Sequence, residues 1–382
     1  MNSDRIYLDN AATTALRPEA ADAMRNAFAS GGFNPSSLHA EGRRARAVLD
    51  DARDRVAAVL GAKRTEIVFT AGGTEADNQA ILGVARAAPR PAHVVAGATE
   101  HHAVLASLEQ LAAEGFDTTV LPVERDGTVP PAALENALRE ATILVSIMYV
   151  NNEIGTVQPI AQLAEIARRR GVLVHCDAVQ APSWLPIDVS ALGVDLLSLS
   201  AHKFGGPKGV GVLYAREGVA VAPLVHGGGQ ESGRRAGTEN VAGAAGLAAA
   251  LELAAAERAE KAPRISELRD RLEAGIRSTV PDVRVNGASA RRSANIANLS
   301  FAGVDSAALL IGLDLAGIAV SSGSACTSGA LEPSHVLAAL GLDDGWSRGA
   351  VRFSLGVSTT ALEIDRTLAV LPELIVRLRG NG

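Results

Sequence analysis

Two cysteines among 382 residues, Cys176 and Cys326, are too few for a disulfide framework. No block of Lys and Arg stands out, and 36 basic against 42 acidic residues leave a formal charge of −6. That balance excludes nucleic acid as the main direct partner. No apolar run is long enough for a bilayer: the longest, residues 241–251, is Ala/Gly-rich and short. The opening MNSDRIYLDNAATT has no apolar core, so nothing points to secretion. Internal repeats and low-complexity tracts are absent. Neither G-x-G-x-x-G, the P-loop pattern nor H-E-x-x-H occurs, so a dinucleotide, a nucleoside triphosphate or a zincin metal site is not indicated. Aromatic residues make up 3% of the chain, beside abundant Ala and Arg, a composition of the kind GC-rich genomes give.

What is present is apolar mass. Hydrophobic residues reach 47%, enough to offset the entropy of ordering, and the length exceeds what one core usually serves. Apolar runs alternate with helix-period segments: TEIVFT, HVVAGA, ILVSIMYV, VLVHCDA, VDLLSLS and GVGVLY mark strands, with helices between them. This predicts an α/β fold with a mostly parallel sheet covered on both faces. A long Ala-rich helix over 243–262 is expected to end at Pro263 and to bridge to a second unit. There the pattern shortens to helix, ANIANLSF, helix, IAVSS, a Gly/Ser loop, VRFSL and a last helix. The expected division is a large domain over 15–260 and a smaller α+β domain over 1–14 and 261–382. A cytoplasmic location is expected.

Ligands of open parallel sheets bind at the carboxyl ends of strands, and five polar clusters follow such ends. Gly72, Gly73 and Thr74 open a helix, where free N–H groups suit a phosphate, although an ordinary tight turn looks the same. His101 and His102 lack zincin spacing and offer a stacking or acid–base imidazole, or a structural pair. Asp177 and Gln180 follow a buried strand, where a carboxylate is costly without a cation such as a protonated ring nitrogen; capping a turn is the commoner fate of a lone Asp. Lys203 lies between an apolar run and glycines, with Ser200 and His202 beside it. Partial desolvation favours the neutral amine of Schiff-base chemistry. Cys326 sits in SSGSACTSG, a polar loop suited to a nucleophile that moves, whereas Cys176 inside a strand reads as core. Together these imply pyridoxal 5'-phosphate and sulfur chemistry.

The segments YLDNAATT, NPSSLH, GGTEADN, TEHHAV, NNEIGTVQPI, DAVQ, SLSAHKFGGPKGVG, GGGQESGRRAGTEN, SSGSACTSG, EPSHVL and VRFSLG occur in this order. With them the chain resembles, almost end to end, the NifS/IscS-like cysteine desulfurases of the class V aminotransferases, fold-type I pyridoxal-phosphate enzymes. The resemblance implies a seven-stranded, mostly parallel sheet and a homodimer. It implies that Lys203 binds the cofactor covalently, that Asp177 pairs with the ring nitrogen, that Gln180 contacts the ring hydroxyl and that His101 stacks on the ring. Gly73, Thr74, Ser200 and His202 would hold the phosphate, with Thr238 reaching in from the other subunit. Asn152 and Arg352 would hold the substrate carboxylate, Arg352 by a bidentate fork, with Asn34 a further candidate. Cys326 would take sulfur from L-cysteine as a persulfide, leaving L-alanine. His101 would manage protons near the thiol.

A protein acceptor would then receive the sulfur, for iron–sulfur assembly, tRNA thiolation or DNA phosphorothioation. The ending LPELIVRLRGNG lacks the longer tail with which IscS-type enzymes dock an iron–sulfur scaffold, so the resemblance does not extend to that docking. A selenocysteine lyase would share nearly every cofactor residue. Another fold-type I enzyme would need no Cys326, and a non-catalytic scaffold would need none of Lys203, Asp177, His101 and Cys326.

Overall fold

The computed structural model describes residues 5–30, 33–322 and 334–380. Strand β1 (Ile6–Tyr7) leads into helices α1 (Pro18–Ala29) and α2 (Ala40–Leu60). Strands and helices then alternate through β2 (Ile67–Thr70), α3 (Gly73–Ala87), β3 (His93–Gly97), α4 (His102–Ala113), β4 (Asp117–Leu121) and α5 (Pro131–Ala137). The series continues with β5 (Thr142–Met148), α6 (Ile160–Arg169), β6 (Leu173–Asp177), α7 (Val189–Leu192), β7 (Leu196–Ser200) and β8 (Gly211–Ala215).

These strands make one seven-stranded sheet in the order β2-β8-β7-β6-β5-β3-β4. Only β8 runs against its two neighbours; the other pairings are parallel, as the sequence pattern predicts. Successive strand residues feed opposite faces. Val94 and Leu144 pack with α3 and α4 through Ile81, Val84 and Leu108, whereas Val95 and Val145 pack on the other face with Leu49, Leu163 and Leu247. Both faces are therefore dry, which is why these strands read as unbroken apolar runs. β4 lies at the sheet edge with its first four residues partly or fully exposed, and its polar DTTVL carries no such run.

One expectation is corrected. Helix α8 (Val241–Thr279) runs through Pro263 instead of ending there. A proline removes one helical N–H and costs about 3 kcal/mol. Tertiary packing outweighs that here, because Leu247 and Leu251 are buried before the proline and Ile265, Leu272 and Ile276 after it. Arg264 also ties the following turn to the carbonyl of Thr359 at 2.7 Å.

Beyond α8 lie β9 (Val283–Val285), β10 (Ile296–Phe301), α9 (Ser306–Leu315), β11 (Ile318–Ala319), α10 (His335–Ala339), α11 (Asp344–Ser347), β12 (Ala350–Ser354) and α12 (Ala361–Gly380). A three-stranded antiparallel sheet orders them β12-β10-β9, and β1 pairs in parallel with β11 through Ile6 and Ile318. The N-terminal strand therefore belongs spatially with the last third of the chain. Among the described residues, no helix is long and apolar enough to cross a membrane.

Candidate active site

The carboxyl ends of β2, β5, β6 and β7 share one edge of the large sheet, and a cavity of about 340 Å³ opens there. Gly73, Thr74, His101, Asn152, Asp177, Gln180, Ser200, His202, Lys203 and Arg352 all line it. Ten residues singled out in the sequence thus meet at one place. The glycine that opens α3 is required by space: a Cβ on Gly73 would stand 2.8 Å from Val179 Cγ2 and 3.2 Å from Ser200 Cβ. Backbone N–H groups at the start of this 15-residue helix therefore border the cavity directly, an arrangement that suits an anion.

At the end of β6, Asp177 Oδ1 accepts Val179 N at 2.9 Å. Burial pushes its carboxyl up to about 6, against the opposing pull of that hydrogen bond and of Lys203. Sequence reasoning missed its companion, Asp77. This residue also lines the cavity, is 2% exposed, and has one carboxyl oxygen without a hydrogen-bond partner. Burial first, and then the charge of Asp177, raise Asp77 well above the ordinary carboxylate range. Behind it, His175 bridges Ser198 Oγ at 2.9 Å and Ser146 Oγ at 2.8 Å. Burial lowers His175 to about 3, so its 3.6 Å approach to Asp77 joins a neutral ring to the carboxyl and is not an ion pair. A signal for Asp77 does exist: it stands four residues after Gly73, hence on the same helix face.

His101 caps α4, and its Nδ1 accepts Ala103 N at 3.1 Å. Burial, then the charges of Lys203, His102 and His335, lower it to about 4. The ring is therefore neutral near pH 7, and the Ala103 hydrogen bond assigns its hydrogen to Nε2. His202 is also lowered to about 4, chiefly by burial, with Nδ1 3.1 Å from Thr13 Oγ1. Lys203 ends a short helical turn after β7 and donates from Nζ to the carbonyls of Ala11 and Ala12. Gln180 Nε2 donates to the same Ala11 oxygen at 2.9 Å.

Arg352 is buried on β12. Its Nη1 donates to Asn152 O at 2.8 Å and its Nη2 to Asp9 Oδ1 at 2.7 Å. Sequence reasoning gave Asp9 no role. Thr238 lines a separate small cavity with Phe69 and Val210. Asn34 is exposed and does not line the main cavity, its Oδ1 accepting Ser36 N at 2.9 Å. Cys326 lies outside the described residues. Cys176, on the opposite face of β6 from Asp177, is fully buried, and its thiol is pushed up by burial, as expected of a core cysteine. Among the described residues, no group of three or more His, Cys, Asp and Glu side chains could hold a metal.

An amine, a neutral imidazole, two buried carboxyls, an anion cradle and a buried guanidinium in one cavity define an enzyme site for small charged molecules. The chain belongs to the aminotransferase class-V family, whose model matches residues 6–367. It is 48% identical to the cysteine desulfurase IscS of Dictyoglomus turgidum, over 98% of this chain and 95% of that one. A solved structure described as a NifS-like protein superimposes with a TM-score of 0.91 at 37% identity, covering 98% of this chain and all of the other. A second, SspA in complex with cysteine, gives 0.82 at 34% identity over 93% of this chain and 100% of its own.

Proposed function

We propose that this protein is a pyridoxal 5'-phosphate-dependent cysteine desulfurase that converts L-cysteine to L-alanine and carries the sulfur as a persulfide on Cys326. The observation that carries this reading is the meeting of Lys203, Asp177 and Arg352 in one cavity, in a chain so similar to named cysteine desulfurases.

The cavity fits the cofactor. It has a helix N-terminus with no room for a Cβ at Gly73, where a phosphate would sit, and two buried carboxyls that burial holds above the ordinary carboxylate range. When bound, pyridoxal phosphate supplies an electron sink joined to the substrate's amine-bearing carbon. Gly73, Thr74, Ser200 and His202 would hold its phosphate, with the partner subunit's Thr238 completing the cradle in a homodimer. The exposed Phe28, Phe33 and Leu38 support such an assembly. Asp177 would hold the ring nitrogen, Gln180 the ring hydroxyl, and His101 the ring face.

Lys203 Nζ would anchor the cofactor and, as a free amine, would take the proton from the α-carbon. Asn152 and Arg352 hold the substrate carboxylate, and Asn34 keeps its place from the sequence. The Cys326 thiolate attacks the substrate sulfur, forming an S–S bond as the carbon–sulfur bond breaks. The carbon fragment takes up protons and leaves as L-alanine. His101, with its hydrogen at Nε2, stands ready to donate near that sulfur. A protein acceptor of unidentified nature then takes the outer sulfur.

A large domain over 15–260 and a small one over 1–14 and 261–382 are supported by the separate sheets on either side of α8. A reducing cytoplasm is the compartment in which a thiol nucleophile persists.

The test is alanine release from L-cysteine with a thiol reductant, comparing wild type with Cys326→Ala. Alanine from the wild type alone is the expected outcome. Equal release from both would remove Cys326 as the nucleophile, and none from cofactor-loaded wild type would remove the reaction.

A further inference from the structure

We propose that Asp9 is a specificity-determining residue that holds the charge of Arg352 in check, so that the site recognises a substrate carboxylate by hydrogen-bond geometry and lets it go after turnover. The proposal rests on the reading of Arg352 as the carboxylate-binding group.

A buried guanidinium is tolerated only when its charge and its N–H groups are matched. The side chain of Arg352 is 2% exposed, and each of its two terminal nitrogens already makes one hydrogen bond: Nη2 to Asp9 Oδ1 at 2.7 Å and Nη1 to Asn152 O at 2.8 Å. The backbone pins the residue as well, through Arg352 N to Ser321 O. Nε is different. It is buried and has no hydrogen-bond partner among the described residues, on a side chain that lines the cavity. A buried donor without a partner is costly, so this N–H favours any ligand that brings an acceptor to it. The bidentate fork expected from the sequence is thus already shared with protein acceptors on both terminal nitrogens.

The backbone of Asp9 is held in place. Its carbonyl accepts Ala12 N at 3.1 Å and Tyr7 Oη at 3.1 Å, and its backbone bridges Ser354. A substrate carboxylate at Arg352 therefore arrives beside a fixed carboxylate of like charge. The guanidinium offers direction, while the pair offers little net attraction. Any small anion meets the same restraint, and so does the carboxylate of the product.

Asparagine at position 9 keeps the acceptor oxygen and removes only the charge. Direction therefore separates the proposal from damage: loss of a structural residue weakens binding, whereas loss of a restraining charge strengthens it. Propionate, a carboxylate with neither amine nor thiol, is titrated by ligand-observed NMR into holoenzymes of wild type, Asp9→Asn, Asp9→Ser, Asp9→Glu and Arg352→Ala. We expect Asp9→Asn and Asp9→Ser to bind it about tenfold more tightly, Asp9→Glu to stay near wild type, and Arg352→Ala to lose binding. Unchanged or weaker binding by both neutral variants, with Arg352→Ala still deficient, would overturn the role of Asp9 and leave that of Arg352 standing. Wild-type binding by Arg352→Ala would overturn both.

Discussion

Lys203 Nζ donates to the Ala11 carbonyl at 2.6 Å and to the Ala12 carbonyl at 2.9 Å. The turn after β1 thus parks the amine at the cavity wall. The same turn presents Asp9 to Arg352. One short N-terminal segment sets the resting position of two groups assigned to chemistry and to substrate.

Lys203→Ala should abolish covalent cofactor attachment and reduce alanine release to background. Its fold should persist, because Gln180 still holds the Ala11 carbonyl. Absorption of the purified protein, before and after gel filtration, checks the first point, and circular dichroism the second.

Asp177→Asn should stabilise the cofactor-free protein while impairing cofactor binding. The folded carboxyl titrates at about 6, above its ordinary 3.8. The folded state therefore binds more protons than the unfolded state in that interval, and stability falls as pH rises from about 4 through 6. The full penalty, about 3 kcal/mol, stands above pH 6, where a cationic ring would relieve it. Melting of the apo-variant should exceed that of the wild type by a few degrees at pH 8, and the gain should vanish near pH 4. An equal gain at both pH values would contradict the buried-carboxylate account.

The His101 ring should stay neutral down to about pH 4, with its hydrogen on Nε2. Nitrogen-15 shifts of the apo-protein, assigned against His101→Ala, would reveal this. In activity, His101→Ala should lose about 10²- to 10⁴-fold, the usual share of one acid–base group.

Ser334 caps α10 through Val336 N at 3.1 Å and donates to the buried Glu153 Oε2 at 2.6 Å. Ser334→Ala removes the cap and strands that carboxyl, at a cost of about 2 kcal/mol. Denaturant unfolding measures it, and Ser334→Thr should recover most of the loss.

The sheet was legible because both of its faces are buried: six apolar runs had no other use, and their polar ends pointed to Asp177, Ser200 and Lys203. Edge strand β4 was not, since half-exposed residues carry no such run. Pro263 misled because a local penalty was read without the packing of α8 that outweighs it. Asp77 and Asp9 escaped for a different reason. Each is an ordinary residue locally, one inside a helix and one in a turn, and its meaning comes from a partner far along the chain.

That distance governs assembly as well. Asp9 and Arg352 are 343 positions apart. On a ribosome adding about 5–20 residues per second, the first waits roughly 20–70 s for the second. The seven-stranded sheet can gather meanwhile from its own neighbouring units, but β1 has nowhere to pair until β11 emerges. The nascent chain therefore carries an unfinished pocket for most of its synthesis, and the corner where Asp9 meets Arg352 is among the last parts to close.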